Sequence, residues 1–238
     1  MSDFLTAIQE YVSITLTPKQ LSNLATYEHA LVEWNTRVNL TAVDEPEKIR
    51  TKHFLDSLTC FRAMQDTPME RVIDLGTGAG FPGLPLKIIF PWMRLTLVDS
   101  VRKKTDFCEY IVNELSLTEV DIIQDRAEII GQTAAHREQY DWALARSVAV
   151  MPVLMEFLLP LAVIGGKVLA MKGENAPAET QNAEHAIQML GGHLQKLLPI
   201  SLPGVADQRY LVVIEKVAAT PHKYPRRVGR PAKKPLQI

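Results

Sequence analysis

The chain has 238 residues, 47% of them hydrophobic and 22% charged, with a net charge of −1, so it can bury a normal core as one large domain. Its two cysteines, Cys60 and Cys108, lie far apart without metal-type spacing, which argues against a disulfide framework and fits a reducing cytosol. The amino end lacks signal-peptide features and no apolar run approaches the ~18 residues of a membrane span, so we expect a soluble, cytoplasmic protein.

The first 66 residues predict a helical region that packs on the core. Thr17 is a suitable cap and Pro18 a suitable first residue for a long helix, in which leucines and valines recur at helical spacing. Trp34 on this helix is predicted to belong to the core. A second helix is expected after the loop NLTAVDEP.

From Arg71 onward, short β-branched runs alternate with helical segments, which predicts an α/β fold with a doubly wound, mostly parallel sheet. The last two strands follow one another without a helix, so we expect them to pair antiparallel. Residues 67–217 form the predicted main domain. Its strands are predicted at Val72–Leu75, Arg94–Val98, Val120–Gln124, Trp142–Ala145, Lys167–Met171, Leu194–Ile200 and Arg209–Lys216.

The first strand leads into a glycine cluster, DLGTGAGFPG, which contains two overlapping nucleotide-binding patterns. Asp74-x-Gly76-x-Gly78-x-Gly80 is typical of S-adenosylmethionine (SAM) loops, and Gly78-x-Gly80-x-x-Gly83 satisfies the dinucleotide pattern of NAD-binding folds. Glycines permit positive φ and let a ligand lie against the backbone, while the following helix directs free N–H groups at the site. A tight turn with close helix–sheet packing is the structural alternative.

Acidic residues at successive strand ends favour SAM over NAD. Asp74 is poorly placed beside a pyrophosphate but can attract an α-ammonium, directly or through water. Asp99 ends the second strand and suits ribose hydroxyls, while Ala127 and Glu128 follow the third strand, where adenine would lie. The expected cofactor is therefore SAM, held by the loop residues including Thr77.

The final residues, 218–238, are predicted to form an extended or disordered basic tail. From Lys216 to Ile238 there are seven Lys and Arg and no Asp or Glu, whereas the rest of the chain has 19 bases against 27 acids. Such segregation indicates an anionic partner. A proline-spaced tail can track an RNA backbone, with Tyr224 free to stack on a base, although a solubilising tail is the alternative.

A series of motifs along the whole chain resembles one family. The motifs WNTRVNLTA, KHFLDSL, DLGTGAGFPGLPLKI, VDSVRKK, DRAE, ARSVA and HKYPRRVGRPAKKP closely resemble the bacterial 16S rRNA (guanine-N7)-methyltransferase family RsmG, also called GidB. The resemblance implies a class I SAM-dependent methyltransferase fold, a guanosine in the decoding region of 16S rRNA as substrate, and the small ribosomal subunit or its precursor as partner. It implies cofactor contacts at Gly76, Phe81, Ala127, Glu128 and Arg146, and we expect a monomer.

The residues also fit this chemistry by what they lack. No (Asn/Asp)-Pro-Pro-aromatic loop for an exocyclic amine follows the fourth strand, and neither cysteine is placed as a nucleophile for pyrimidine C5. Guanine N7 carries a free lone pair and no proton, so positioning supplies most of the acceleration. A non-catalytic RNA-binding or assembly factor and a small-molecule methyltransferase remain alternatives.

Two basic residues at strand ends are the catalytic candidates. Arg146 is expected to reach the cofactor and the guanine or a phosphate, or else to form a salt bridge with Glu128 or Asp125. Lys172 is expected either to contact an RNA phosphate or to be a plain solvated lysine. Four residues are assigned to a structural network or to the target base, without a choice between them: His53, Asp56, Asn39 and Thr41. No set of ligands suggests a metal site.

Overall fold

The computed structural model describes residues 2–236, and its amino-terminal part is helical as predicted. Thr17 caps the second helix through a reciprocal capping box with Gln20. A π-helical turn, Arg50–Leu55, joins the third and fourth helices. The helices of this region are α1 (Ser2–Val12), α2 (Pro18–Val38), α3 (Pro46–Ile49), α4 (Asp56–Leu58) and α5 (Phe61–Met64).

A seven-stranded sheet forms the centre of the molecule, in the order β3-β2-β1-β4-β5-β7-β6. The first five strands are parallel, β7 pairs antiparallel with β5, and β6 pairs antiparallel with β7, which confirms the predicted topology. The strands are β1 (Arg71–Leu75), β2 (Arg94–Asp99), β3 (Val120–Gln124), β4 (Tyr140–Arg146), β5 (Ala162–Lys172), β6 (Gly192–Leu202) and β7 (Val205–Lys216).

Helices cover both faces of the sheet and divide the core into two apolar clusters. One cluster joins the amino-terminal helices to α6 and α7, and the other lies around α9, α10 and α11. The inner strands of the sheet are mostly buried on both faces, so continuous apolar runs such as LVVI form them, whereas the edge strands β3 and β6 are more exposed. The remaining helices are α6 (Gly83–Ile89), α7 (Arg102–Glu114), α8 (Ala127–Ile130), α9 (Met151–Leu158), α10 (Ala176–Asn182), α11 (Glu184–Met189) and α12 (Arg230–Lys233).

The amino-terminal helices pack directly on the glycine loop. Tyr27 is fully buried, donates a hydrogen bond to the carbonyl of Ala79, and stacks on Phe81 with ring centroids 5.4 Å apart. Trp34 packs against Phe107 as expected of a core residue. Helix α2 therefore supports the loop that follows β1.

The prediction of an extended or disordered tail at residues 218–238 is wrong for residues 218–236, and residues 237 and 238 lie outside the described part of the chain. We call residues 217–236 the C-terminal segment. Arg226 makes a bidentate ion pair with Glu156, whose side chain is fully buried on α9. Arg137 donates to the carbonyls of Thr220 and Tyr224. A buried carboxylate needs a cationic partner, and this requirement fixes the segment on the body. Tyr224 is buried, so it is not free to stack on a base.

Within residues 2–236, no helix is both long and apolar enough to cross a bilayer. Cys60 and Cys108 are both buried free thiols.

Candidate functional site

The glycine loop after β1 combines packed glycines with one that faces open space. Gly76, Gly78 and Gly80 all have positive φ, at 70°, 62° and 92°. A Cβ on Gly80 would lie 2.4 Å from Leu84, and one on Gly83 would lie 2.7 Å from Leu97, so both positions require a glycine for packing. A Cβ on Gly78 would meet nothing within 4 Å. The backbone at Gly78 is therefore open to a ligand.

Asp74 supports this loop from behind. Its side chain is completely buried, and its Oδ2 accepts hydrogen bonds from Thr77 Oγ1 at 2.7 Å and from the backbone N–H of Gly83 at 2.8 Å. Burial raises the pKa of Asp74 to about 6, against the effect of these two bonds. Asp74 lines neither of the two cavities described below, and its contacts in the structure support the loop. The expected contact with a ligand's ammonium, direct or through water, stays a prediction. Its Oδ1 has no hydrogen-bond partner.

Asp99, at the end of β2, holds the other side of the loop. Its Oδ2 accepts from the backbone N–H of Gly78 at 3.0 Å, and its Oδ1 accepts from that of Val101 at 2.9 Å. Lys104 Nζ lies 3.7 Å from Oδ2. Unlike Asp74, Asp99 lies on a cavity wall, where its carboxylate can accept from a ligand's hydroxyl groups.

The first cavity, cavity A, lies at the carboxyl ends of β1, β2, β3 and β4 and has a volume of about 500 Å³. Its polar wall contains Gly76, Asp99 and Glu128, with Ala127 beside them. Glu128 Oε1 accepts a hydrogen bond of 2.8 Å from the backbone N–H of Gly229 in the C-terminal segment. The apolar part of cavity A suits a flat heteroaromatic ring and is formed by Val101, Val148, Val153, Phe157, Val228 and Ala232.

The second cavity, cavity B, adjoins cavity A and has a volume of about 440 Å³. The two share Gly76, Lys104 and Ser147. Cavity B brings the loop after α2, the π-helical turn, the glycine loop, β4 and β7 together. Its lining residues include Thr41, Lys52, His53, Gly76, Thr77, Gly78, Phe81, Lys104, Arg146 and Arg209.

Arg146, at the end of β4, is the central side chain of cavity B. Its Nη1 lies 3.1 Å from Asp56 Oδ2 and donates to the carbonyl of Lys52 at 3.0 Å. Its guanidinium stands 5.0 Å from the centre of the Phe81 ring. The expected salt bridge is present, but its partner is Asp56 rather than Glu128 or Asp125. Arg146 thus joins the sheet to the helical region at the cavity wall.

His53 is part of the same cluster and is held as a neutral imidazole. Its Nε2 lies 2.8 Å from Thr41 Oγ1, its Nδ1 lies 3.2 Å from Arg146 Nη2, and its ring stacks on Phe81 at 4.6 Å. Burial, followed by the charge of Arg146, lowers the pKa of His53 to about 3. Burial raises the pKa of Asp56, although Arg146 and Arg209 oppose this shift. Asn39 ends α2 in the left-handed conformation and is a helix cap.

Lys172 lies at the end of β5 but not on either cavity. Its Nζ pairs with Glu179 at 2.6 Å and donates to the carbonyl of Ala149 at 3.0 Å. Glu179 also accepts from the backbone N–H of Met151. Lys172 therefore fixes the loop between β4 and α9, and the predicted choice between a phosphate contact and a solvated lysine is replaced by this third arrangement.

Sequence reasoning missed Arg209 and the C-terminal segment as parts of the site. Arg209 Nη1 lies 3.4 Å from Asp56 Oδ2, and its buried Nε has no hydrogen-bond partner. The sequence contained a signal for Arg209. A strand that runs antiparallel to the others starts at the side of the sheet where the parallel strands have their carboxyl ends, so a residue near its start lies close to the site. In the sheet, Tyr210 pairs with Lys172, the last residue of β5.

The residues of cavity A and of its boundary with cavity B fit SAM. The glycine loop leaves space at Gly78 on the side of cavity B, and cavity A has a carboxylate for hydroxyl groups at Asp99 together with apolar lining residues. Within residues 2–236, no three His, Cys, Asp or Glu side chains are grouped so that they could hold a metal ion.

Several solved structures that share this fold are SAM-dependent methyltransferases. One from Aquifex aeolicus superposes with a TM-score of 0.52 at 14% identity, covering 71% of this chain and 94% of its own. A 16S rRNA (adenine-N1)-methyltransferase from Catenulisporales acidiphilia, solved with its cosubstrate SAM, has a TM-score of 0.52 at 13% identity and covers 68% of this chain and 91% of its own. The chain therefore has the fold of the SAM-dependent methyltransferases, and cavity A fits their cofactor.

The family follows from the sequence comparisons. A family model described as rRNA small subunit methyltransferase G matches residues 20–205. A relative of that name from Roseiflexus castenholzii is 48% identical over 98% of this chain and 99% of its own length, and one from Alkaliphilus oremlandii is 41% identical over 100% and 99%. The chain belongs to the rRNA small subunit methyltransferase G family.

Proposed function

We propose that this protein transfers the methyl group of SAM to N7 of one guanosine in the decoding region of 16S rRNA. The observation that carries the N7 assignment is that the cavity B groups able to take a proton are engaged. His53 is neutral and contacts Thr41 and Arg146 through its two ring nitrogens. Asp56 is buried behind two arginines. An exocyclic amine loses a proton on methylation, whereas N7 has none to lose, so N7 is the acceptor that this cavity favours.

The chain's part in such a reaction is positioning. SAM supplies a methyl group on a positively charged sulfur. Transfer to N7 would require no base from the protein, because N7 has a lone pair and no proton to lose, so the residues around cavity B have only to hold the acceptor in place. The Arg146 guanidinium, held over the buried Phe81 ring, is a rigid planar group at the wall of cavity B that can position the acceptor, and Arg209 lines the same cavity.

Positive charge around the cavities supports RNA as the substrate. Cavity B is lined by Lys52, Lys104, Arg146 and Arg209. The C-terminal segment adds five exposed cations, none of which forms an ion pair within the described chain: Lys223, Arg227, Arg230, Lys233 and Lys234. The phosphates of a structured RNA are complementary to this positive charge. The small ribosomal subunit or its precursor would supply such an RNA. Both cavities are completed by one chain, which supports action as a monomer.

The test is methyl transfer from labelled SAM to 16S rRNA and to small subunits purified from cells that lack this protein. We expect one N7-methylguanosine, mapped by nuclease digestion and mass spectrometry. A methyl group on an exocyclic nitrogen would contradict the N7 assignment. Transfer to neither RNA preparation would favour the two alternatives, an assembly factor or a small-molecule methyltransferase.

A further inference from the structure

The C-terminal segment turns one side towards cavity A. The cavity lining includes three residues of this segment, Val228, Gly229 and Ala232. They are far from the glycine loop in the sequence but line the same cavity. Val228 is 49% exposed and Val101, on the same cavity, is 37% exposed. Valine side chains that remain this exposed on a concave wall present apolar surface that a ligand would cover.

The segment is held in this place by contacts outside the cavity. The backbone N–H of Arg226 donates to Glu156 at 2.8 Å in addition to the side-chain ion pair. Gln132 donates to the carbonyl of Pro225, whose ring packs where a Cβ on Gly131 would stand. These anchors precede Val228, so they fix its position independently of any ligand. The Gly229–Glu128 hydrogen bond then ties the segment to the cavity's polar wall.

We propose that residues 228–232 form one wall of the SAM site, with Val228 covering the apolar part of the cofactor and Gly229 orienting Glu128. This inference rests on SAM as the cofactor and not on the identity of the acceptor. It assigns a cofactor-binding role to a segment whose outer side carries the basic residues. The same segment then has two sides, an apolar one for the cofactor and a cationic one for RNA.

The experiment measures the affinity of the full-length protein for S-adenosylhomocysteine by calorimetry, without RNA. The variant Val228→Ser removes apolar surface from the wall, and we expect about five- to tenfold weaker binding. The matched control is Val217→Ser, because Val217 is 54% exposed in the same segment and does not line the cavity. The control should bind like the unaltered protein. Equal affinities of Val228→Ser and the unaltered protein, or equal losses in both variants, would overturn the proposal.

A second measurement uses trypsin, which cleaves after Arg227. Saturating S-adenosylhomocysteine should slow cleavage of the Arg227–Val228 bond severalfold. Intact-mass spectrometry measures the rate of this cleavage. At a concentration of S-adenosylhomocysteine that half-saturates the unaltered protein, the same bond should be less protected from trypsin in Val228→Ser than in the unaltered protein. Cleavage unaffected by the ligand would show that the segment is not part of the site. Because neither measurement includes RNA, failure here and failure of the methyl-transfer test are separate results.

Discussion

Arg146 and Asp56 form a buried ion pair between the end of β4 and the helical region, with 3.1 Å between Nη1 and Oδ2. Their side chains are 12% and 2% exposed. The pair closes the wall of cavity B and connects two parts of the chain that are 90 positions apart. Because the two residues form a pair, replacing one or both of them can separate the effect of Arg146 on stability from its effect on activity.

Arg146→Ala leaves the Asp56 carboxylate buried with only the longer contact to Arg209, so we expect a loss of about 3–5 kcal/mol in the free energy of unfolding. The double variant Arg146→Ala/Asp56→Ala removes the stranded charge and should recover part of this stability. Methyl transfer should stay at least ~100-fold reduced in both, because the guanidinium positions the acceptor. Urea unfolding measures the stability of each variant, and initial rates of methyl transfer measure its activity. Recovery of activity in the double variant would show that Arg146 only neutralises Asp56.

His53 should destabilise the protein in mild acid. With a pKa of about 3 in the folded protein and about 6.5 in the unfolded chain, it takes up a proton only on unfolding within this window. Stability therefore falls as the pH decreases below 6.5, by up to ~1.4 kcal/mol per pH unit. His53→Gln should lack this contribution. The difference in unfolding free energy between the two proteins, measured at pH 7.5 and at pH 5, should shift by about 2 kcal/mol in favour of the variant. A constant difference would contradict a neutral His53.

Asp74 should affect the pH dependence of stability in the sense opposite to that of His53. Its pKa of about 6 lies above the ordinary 3.8, so the folded protein binds the extra proton and loses stability as the pH rises through this window. Asp74→Asn keeps an acceptor for Thr77 and Gly83 and removes a buried charge, so at pH 7.5 it should be at least as stable as the unaltered protein.

Asp74→Ala is the control for the hydrogen bonds of Asp74. It leaves the N–H of Gly83 without a partner and should cost about 1–3 kcal/mol. Affinity for S-adenosylhomocysteine measured on Asp74→Asn then tests the supporting role. A loss of tenfold or more at unchanged stability would restore the direct ammonium contact expected from the sequence.

The exposed cations of the C-terminal segment should bind RNA electrostatically. Replacing Arg227, Arg230 and Lys233 by Gln should weaken RNA binding and lower the slope of log affinity against log salt by roughly two. Affinity for S-adenosylhomocysteine should not change. Arg94→Gln is the control, because Arg94 lies at the amino end of β2 and lines neither cavity. An unchanged salt slope in the triple variant would favour a solubilising role for these residues.

Lys172→Met should act on the loop after β4 rather than on RNA. Loss of the Glu179 pair and of the bond to the Ala149 carbonyl should lower turnover several-fold, since this loop lines cavity A. The affinity for RNA and its salt dependence should stay unchanged. A reduced salt slope in this variant would instead support the phosphate contact predicted from the sequence.

Much of this fold could be predicted because local patterns determine it. The β-branched runs predicted five of the seven strands to within two residues at both ends, and β5 and β7 only at their carboxyl ends. The lack of a helix between the last two strands predicted their antiparallel pairing. The loop glycines could be placed because their backbone conformation depends on short-range geometry. Arg146 was found because chemistry in parallel sheets concentrates where strands end.

The failures concern the partners of particular side chains, which spacing along the sequence does not reveal. The proline-rich basic tail has no core-forming pattern of its own, and its order comes from Glu156 on α9, some 70 positions away. The pairing of Lys172 with Glu179 and the enclosure of Asp74 depend on how loops settle on the finished sheet. Composition and spacing describe the side chains that a segment carries but not the partner that reaches it from another element.

The place of β7 between β5 and β6 has a consequence during synthesis. This strand leaves the ribosome after the other six, and it carries Arg209 to cavity B. A partly made chain therefore has the glycine loop but only part of the proposed acceptor pocket. Cavity B is therefore complete only once β7 has paired with β5, after every other strand of the sheet has been made.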